Sequence, residues 1–162
     1  MYRQEYAFGK PLAPVAEVGQ TEKSGTIIKF TPDDSIFITT EYKYSILADR
    51  MRELAYLNKG IRLILTDRRE MDEKGNFVSE EFYSEEGLKE FVQFVDSNRE
   101  ALIENIIYIN TEKNDVPVEI AILYNTSFTE NVYSYVNNIN TIEGGTHLTG
   151  FRRGLTRTLK AY

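Results

Sequence analysis

The stretch NNINTIEGGTHLTGFRRGLTRTL, residues 137–159, joins a glycine pair and the only histidine of the chain to a helical pattern. Four apolar side chains recur there at the 3.6-residue spacing of an α-helix: Leu148, Phe151, Leu155 and Leu159. A Gly-Gly turn before a helix can bind an anion, because backbone N–H groups and the helix dipole attract negative charge. The spacing is neither G-x-G-x-x-G nor a Walker loop. We therefore favour a structural turn, with Thr146 as the N-cap of a final helix.

Outward from this helix, the apolar periodicity predicts an α+β fold with mainly antiparallel sheet. Two further helices are predicted, over residues 45–58 and from residue 85 to near Asn98, and a long hairpin is predicted over residues 61–83. Further strands are predicted at residues 2–8, 25–30, 105–113, 116–125 and 130–138. We expect the strand at residues 25–30, GTIIKF, to be largely buried because Ile27, Ile28 and Phe30 are apolar.

The composition excludes several kinds of site. The chain has no cysteine and one histidine, so neither a disulfide framework nor a zinc site is predicted. His147 also lacks a Ser or Cys partner in a recognisable triad arrangement. The usage of 41% apolar and 27% charged residues is ordinary for a globular protein, and no apolar run approaches the ~20 residues of a membrane span. We expect a soluble, cytoplasmic protein without a membrane partner.

The charge pattern leaves one basic face to interpret. The net charge of −6 argues against a protein that coats nucleic acid over its whole surface. Arg153, Arg157 and Lys160 nevertheless recur on one side of the final helix, away from its apolar stripe. Such a face either binds phosphates or is simply solvated. The final helix reaches Tyr162 without a stop signal, and we expect the chain to be an internal piece of a longer protein.

Several stretches together carry a family resemblance. They are TEKSGTIIKFTPD (residues 21–33), RMRELAYLNKGIRLILTDRRE (50–70), EGLKEFV (86–92), VEIAILYN (118–125) and the stretch at 137–159. In this order and spacing the chain resembles the B subunit of bacterial DNA gyrase, in one register from about Tyr2 to Tyr162. The motifs NNINTxEGGTH and RELAxLNKG are the most specific. The B subunit of topoisomerase IV, a close paralogue, and a stand-alone binding or scaffold domain of the same fold remain as alternatives.

The resemblance implies a division of the chain. Residues 1–85 resemble the C-terminal part of a GHKL-type ATPase sheet, and residues 86–162 resemble the first part of a βαβ-type transducer domain. The family's transducer has a left-handed crossover, against the usual right-handed rule. The GGTH stretch then lies in the transducer and not at the nucleotide, so His147 is expected to have a structural role. Glu86 stands where the family usually has the first glycine of a Gly-Gly pair, which puts the geometry of the joint in question.

The resemblance also implies where nucleotide contacts lie. Thr26 matches the threonine that hydrogen-bonds near the adenine, and Ile28 matches an apolar position of the pocket wall. The family's general base, magnesium ligand and lid precede Met1, and its γ-phosphate lysine follows Tyr162. No catalytic residue is therefore expected in this chain. ATP and Mg²⁺ are cofactors of the whole protein, and we expect the chain alone to bind no cofactor and to hydrolyse no ATP.

The whole protein, by the same resemblance, is one of the two kinds of subunit in an ATP-dependent type II topoisomerase. It couples ATP binding and clamp closure to DNA strand passage and negative supercoiling. Its implied partners are the A subunit of gyrase, a second copy of the B subunit and double-stranded DNA. In such a clamp the transducers border the DNA cavity, so Arg153, Arg157 and Lys160 are candidates for contact with DNA.

Overall fold

The computed structural model describes the whole chain, from Met1 to Tyr162, as two compact units. The first unit, Met1–Lys43, contains two small antiparallel ladders. In one, β1 (Tyr2–Arg3) pairs with β4 (Ala16–Glu17). In the other, β2 (Tyr6–Ala7) pairs with β3 (Lys10–Pro11). The strand predicted over residues 2–8 is therefore split into two short pieces, and residues 18–43 form neither helix nor strand.

The predicted buried strand at residues 25–30 was wrong for this chain. These residues form no strand, and Ile27 and Ile28 are 92% and 81% exposed. A strand exists through backbone hydrogen bonds to a neighbour, and none of the short ladders of the first unit pairs with this segment. The apolar pattern therefore shows that the segment could be buried, but no strand of this chain pairs with it.

The second unit, Tyr44–Tyr162, begins with α1 (Tyr44–Leu57), β5 (Leu63–Met71) and β6 (Phe77–Phe82). This confirms the predicted helix and long hairpin. The two strands pair antiparallel, and α1 covers one face of the hairpin. The buried core is small and consists of Ala48, Ala55 and Phe82, with partly buried Tyr44, Met51, Leu63 and Leu65 against it.

The rest of the second unit contains two more helices and two more hairpins. They are α2 (Leu88–Val95), β7 (Ile107–Lys113), β8 (Val116–Ile122), β9 (Tyr135–Val136), β10 (Ile139–Asn140) and α3 (Thr146–Ala161). The strand predicted over residues 130–138 is shorter than expected, because Asn137 and Asn138 turn the chain with φ of 49° and 64°. Asparagine tolerates this left-handed conformation better than most residues.

All strand pairs are antiparallel, and helices and strands are mixed along the chain, as the α+β prediction required. Each sheet has only two strands. None of the three helices is long and apolar enough to cross a membrane.

Candidate functional site

Thr26 and Ile28, the expected nucleotide contacts, lie on the exposed segment of the first unit. They are two residues apart in a stretch without secondary structure, and both side chains are exposed. The structure therefore places them together but builds no pocket around them. No group of three or more His, Asp or Glu side chains in the chain is placed to hold a metal ion such as Mg²⁺.

The glycine pair forms the entry to α3, and the predicted N-cap at Thr146 was wrong. Thr146 is already the first helical residue, and Gly145 occupies the cap position without a side-chain hydrogen bond. Gly145 has φ of 154° and ψ of −177°, a region that essentially only glycine adopts. A Cβ on Gly145 would lie 2.8 Å from the ring of His147. The glycine therefore makes room for the histidine.

His147 connects the start of α3 to the β9–β10 hairpin. Its Nε2 lies 3.1 Å from the hydroxyl of Thr141. That hydroxyl lies 2.6 Å from Ser134 Oγ and also donates to the carbonyl oxygen of Ser134, at 2.9 Å. The backbone N–H of Thr141 donates to the same carbonyl at 2.8 Å. These contacts connect His147 to the hairpin, and its structural role stays a prediction.

A set of polar contacts joins α1 to the β9–β10 hairpin, and sequence reasoning missed it. We call it the α1–hairpin clasp and define it by Arg50, Glu53, Asn58, Tyr135 and Asn138. Asn138 Nδ2 donates to Asn58 Oδ1 at 2.9 Å, and Arg50 Nη2 donates to the carbonyl oxygen of Asn138 at 2.8 Å. The Tyr135 hydroxyl donates to Glu53. The only signal in the sequence was the Asn-Asn pair, because asparagine tolerates the positive φ that tight hairpin turns require.

The electrostatics of the clasp favour a neutral tyrosine. Burial of Tyr135 and the neighbouring carboxylate of Glu53 both raise the pKa of Tyr135 above its ordinary value. The hydroxyl therefore stays protonated and donates its hydrogen to Glu53. Glu53 also forms an ion pair with Arg50 on the same helix, so its charge is balanced within the clasp.

Aromatic rings pack α1 against α2 next to the clasp. The Tyr56 and Phe91 rings are stacked, with centroids 5.4 Å apart at an interplanar angle of 23°. The ring of Phe91 also packs against those of Tyr133 and Tyr135, with centroid distances of 5.6 and 6.2 Å. Such pairs stabilise contacts beyond their buried area. The helix of residues 44–57 is thus held to α2 and to the segment that leads into the hairpin.

The connection between β6 and α2 is a hydrogen-bonded turn. Glu90 Oε1 accepts from the backbone N–H groups of Glu86 and Glu85, at 2.8 and 3.1 Å. The residue that needs a left-handed backbone is Gly87, with φ of 64°, whereas Glu86 is not among the residues with positive φ. A residue other than glycine at position 86 is therefore compatible with the backbone of this joint.

The three basic residues predicted on α3 are exposed and lie along one side of the helix. Together with Arg152 and Thr156 they line a shallow open depression. Arg152 is paired with Glu130 at 3.0 Å, but no acidic side chain lies within ion-pair distance of Arg153, Arg157 or Lys160. This side of α3, which we call the basic face, therefore carries three cations without a carboxylate partner.

A family model and two highly similar sequences all name the B subunit of DNA gyrase. A sequence model of the DNA gyrase B family matches residues 87–162. The B subunit of DNA gyrase from Cytophaga aurantiaca is 57% identical over 162 residues, which is 100% of this chain and 34% of that protein. The corresponding protein of Halalkalibacterium halodurans is 48% identical over 163 residues, covering 100% of this chain and 25% of that protein. The chain thus spans about a third or less of these relatives.

Two solved structures share the fold. The 43K ATPase domain of Thermus thermophilus gyrase B, in complex with an aminocoumarin, aligns with a TM-score of 0.83 at 30% identity. That alignment covers 99% of this chain and 43% of the other. The B subunit of the DNA gyrase from Myxococcus xanthus aligns with a TM-score of 0.78 at 20% identity, covering 94% of this chain and 44% of the other. The second likeness concerns the fold alone.

Proposed function

Because the chain corresponds to a segment of the B subunit of DNA gyrase, we propose that the whole protein is the ATP-hydrolysing component of a type II DNA topoisomerase. Two copies close into a clamp around a DNA segment when they bind ATP with Mg²⁺, and the A subunit of gyrase supplies the cleavage partner for negative supercoiling. The observation that carries this proposal is 57% identity along the whole chain. The relatives named above are gyrase proteins, so the B subunit of topoisomerase IV is not favoured.

Within this segment we propose that two domains meet. Residues 1–85 belong to the ATPase domain, and residues 86–162 belong to a transducer with a left-handed crossover. Thr26 and Ile28 form one wall of the adenine pocket. Their exposure supports this, because an exposed hydroxyl and an exposed apolar side chain are available to a ligand and to neighbouring segments. The catalytic groups lie in other segments of the protein, and the chain alone turns over no ATP.

We propose that the basic face of α3 meets DNA phosphates inside the clamp. Arg153, Arg157 and Lys160 are exposed and have no acidic partner. Such cations can neutralise a phosphate without first breaking an ion pair, and backbone contacts of this kind bind DNA without reading its sequence. The protein acts in the cytoplasm and not at a membrane.

The decisive experiment uses the full-length protein together with the A subunit of a gyrase. We expect the complex to introduce negative supercoils into relaxed plasmid only when ATP and Mg²⁺ are both present. Reactions that lack the A subunit or lack ATP are the controls. ATP-dependent decatenation without supercoiling would favour topoisomerase IV. Absence of both activities in a folded, assembled complex would favour the stand-alone binding domain and overturn the proposal.

A further inference from the structure

The turn of the β9–β10 hairpin is held against the end of α1 by one asparagine. Val136 pairs with Ile139, so Asn137 and Asn138 form the two-residue turn. Asn138 makes two contacts here, through its side-chain amide to Asn58, the residue after α1, and through its carbonyl oxygen to Arg50 of α1. Asn137 makes no such side-chain contact, although both residues have positive φ. Asn137 and Asn138 therefore share the need for a positive φ, but only Asn138 forms hydrogen bonds to Asn58 and Arg50.

The direction of the amide contact is fixed by the other bond of Asn58. Asn58 Nδ2 donates to the carbonyl oxygen of Leu54, 2.8 Å away in the last turn of α1. With Nδ2 turned toward Leu54, Oδ1 of Asn58 faces the hairpin, and an amide oxygen can only accept. Residue 138 must therefore provide a donor. An aspartate at that position would bring two acceptor oxygens together.

The far end of the hairpin holds the start of α3. Ser134 and Thr141 are bonded to each other, and Thr141 contacts His147 in the first turn of α3. The backbone N–H of Gly144 donates to the carbonyl oxygen of Thr141 at 2.8 Å. No residue of α3 is buried. The apolar residues Leu148, Phe151 and Leu155 are only partly buried, so these polar contacts and the Arg152–Glu130 pair contribute to the position of α3 within this unit.

We propose that Asn138 is a positioning residue that sets α3 and its basic face relative to α1, through Asn58 at one end and the Thr141–His147 contact at the other. The inference rests on the proposed function, because its consequence is that DNA at the basic face accelerates ATP turnover only when this connection is intact. A coupling route of this kind requires evidence that both ends respond to a change in the middle.

The test compares Asn138→Asp with Asn137→Asp in the full-length protein, assembled with gyrase A. Both substitutions keep a residue that tolerates positive φ and add one negative charge, but only the first opposes Asn58. We expect Asn138→Asp to lower the ratio of DNA-stimulated to unstimulated ATPase by about 3- to 10-fold, with the unstimulated rate unchanged. Asn137→Asp should behave as the wild type.

A second readout does not depend on activity. Hydrogen exchange at the amides of Thr141, Gly144 and Thr149, which bond within the hairpin and the first turn of α3, should be faster in Asn138→Asp than in Asn137→Asp. Adding Asn58→Ala removes the opposing oxygen, so Asn138→Asp should then cause little further loss. Additive losses would overturn the direct pairing.

The remaining outcomes separate the two proposals. A DNA-stimulated wild type whose stimulation is unchanged by Asn138→Asp overturns the positioning role alone, and so does unchanged exchange in that variant. A wild-type complex with no DNA-stimulated ATPase overturns the proposed function, and the coupling role with it.

Discussion

The buried hydroxyl of Ser84 accepts a hydrogen bond from the backbone N–H of Gly87, 2.8 Å away. The carbonyl oxygen of Ser84 accepts another from the N–H of Gly60, just after α1, also at 2.8 Å. One residue thus ties the end of α1 to the start of α2. The proposed boundary between the ATPase part and the transducer part runs through this turn, so the boundary is a hydrogen-bonded joint and not a loose linker.

Gly87 should be the sensitive residue of this joint. Its φ of 64° disfavours any L-side chain, and an added Cβ would lie 3.3 Å from the carbonyl oxygen of Tyr56. We expect Gly87→Ala to lower the free energy of unfolding by about 1–2 kcal/mol, measured by urea titration. Glu86→Gly is the matched control, and it should cost no more than about 1 kcal/mol of chain entropy. If Glu86→Gly lowered the free energy of unfolding more than Gly87→Ala does, Gly87 would not be the sensitive residue.

Two tyrosines should respond differently to loss of the hydroxyl. The hydroxyl of Tyr44 is buried without a hydrogen-bond partner, whereas that of Tyr135 donates to Glu53. Tyr44→Phe removes an unsatisfied polar group, so stability should be unchanged or rise by up to ~1–3 kcal/mol. Tyr135→Phe removes a bond to a charged acceptor and should cost about 1.5–3 kcal/mol. Thermal unfolding of the two variants side by side measures the contrast, and equal shifts would refute it.

Asp67 should contribute a pH dependence at the acidic end. Hydrogen bonds from the side chain and backbone N–H of Arg69 lower the pKa of Asp67 to about 2, from 3.8. A carboxylate with a lowered pKa stabilises the fold above its unfolded pKa, and this contribution disappears as the pH falls through the folded value. Stability should therefore decline between about pH 4 and pH 2, and Asp67→Asn should flatten that part of the curve. An unchanged slope in the variant would exclude this role for Asp67.

Local patterns predicted the elements of the second unit well. The helix at residues 44–57, the hairpin that follows and α3 each carry their periodicity in consecutive residues, and each formed close to the predicted bounds. Their spacing alone determines which face turns inward. The N-cap of α3 is Gly145 and not Thr146, because the cap position has a backbone conformation that glycine adopts and threonine does not.

Features that depend on contacts between residues far apart in the chain could not be predicted from local sequence patterns. The segment at residues 25–30 has the pattern of a strand but no neighbour in the chain to pair with. The Asn58–Asn138 bond joins residues 80 positions apart, and nothing in either local stretch indicates the other. Thr26 and Ile28 were identified only through family resemblance, because an isolated Thr-x-Ile is compatible with any strand.

Thr26 should matter for nucleotide affinity in the full-length protein and not for folding. Its side chain is exposed in this chain, so Thr26→Ala should leave the unfolding curve unchanged. Loss of a hydroxyl from a hydrogen-bonded pocket costs about 1–3 kcal/mol, which is roughly 5- to 150-fold in ATP affinity. Calorimetric titration measures this, with the nearby exposed Thr31→Ala as the control. Equal affinities for the two variants would remove Thr26 from the pocket wall.

The basic face can be tested through its dependence on salt. In the full-length complex, we expect Arg153→Ala with Arg157→Ala to weaken DNA stimulation of ATP turnover while the unstimulated rate stays the same. Each phosphate contact contributes about one unit to the slope of log affinity against log salt, so the double variant should flatten that slope by about 2. Lys74→Gln with Lys113→Gln removes the same charge near the turns of the two long hairpins. If the basic face contacts phosphate, we expect the control to keep the wild-type slope, because Lys74 and Lys113 are not part of that face. If both double variants shift the slope equally, only the net charge matters and Arg153 and Arg157 are plain surface residues.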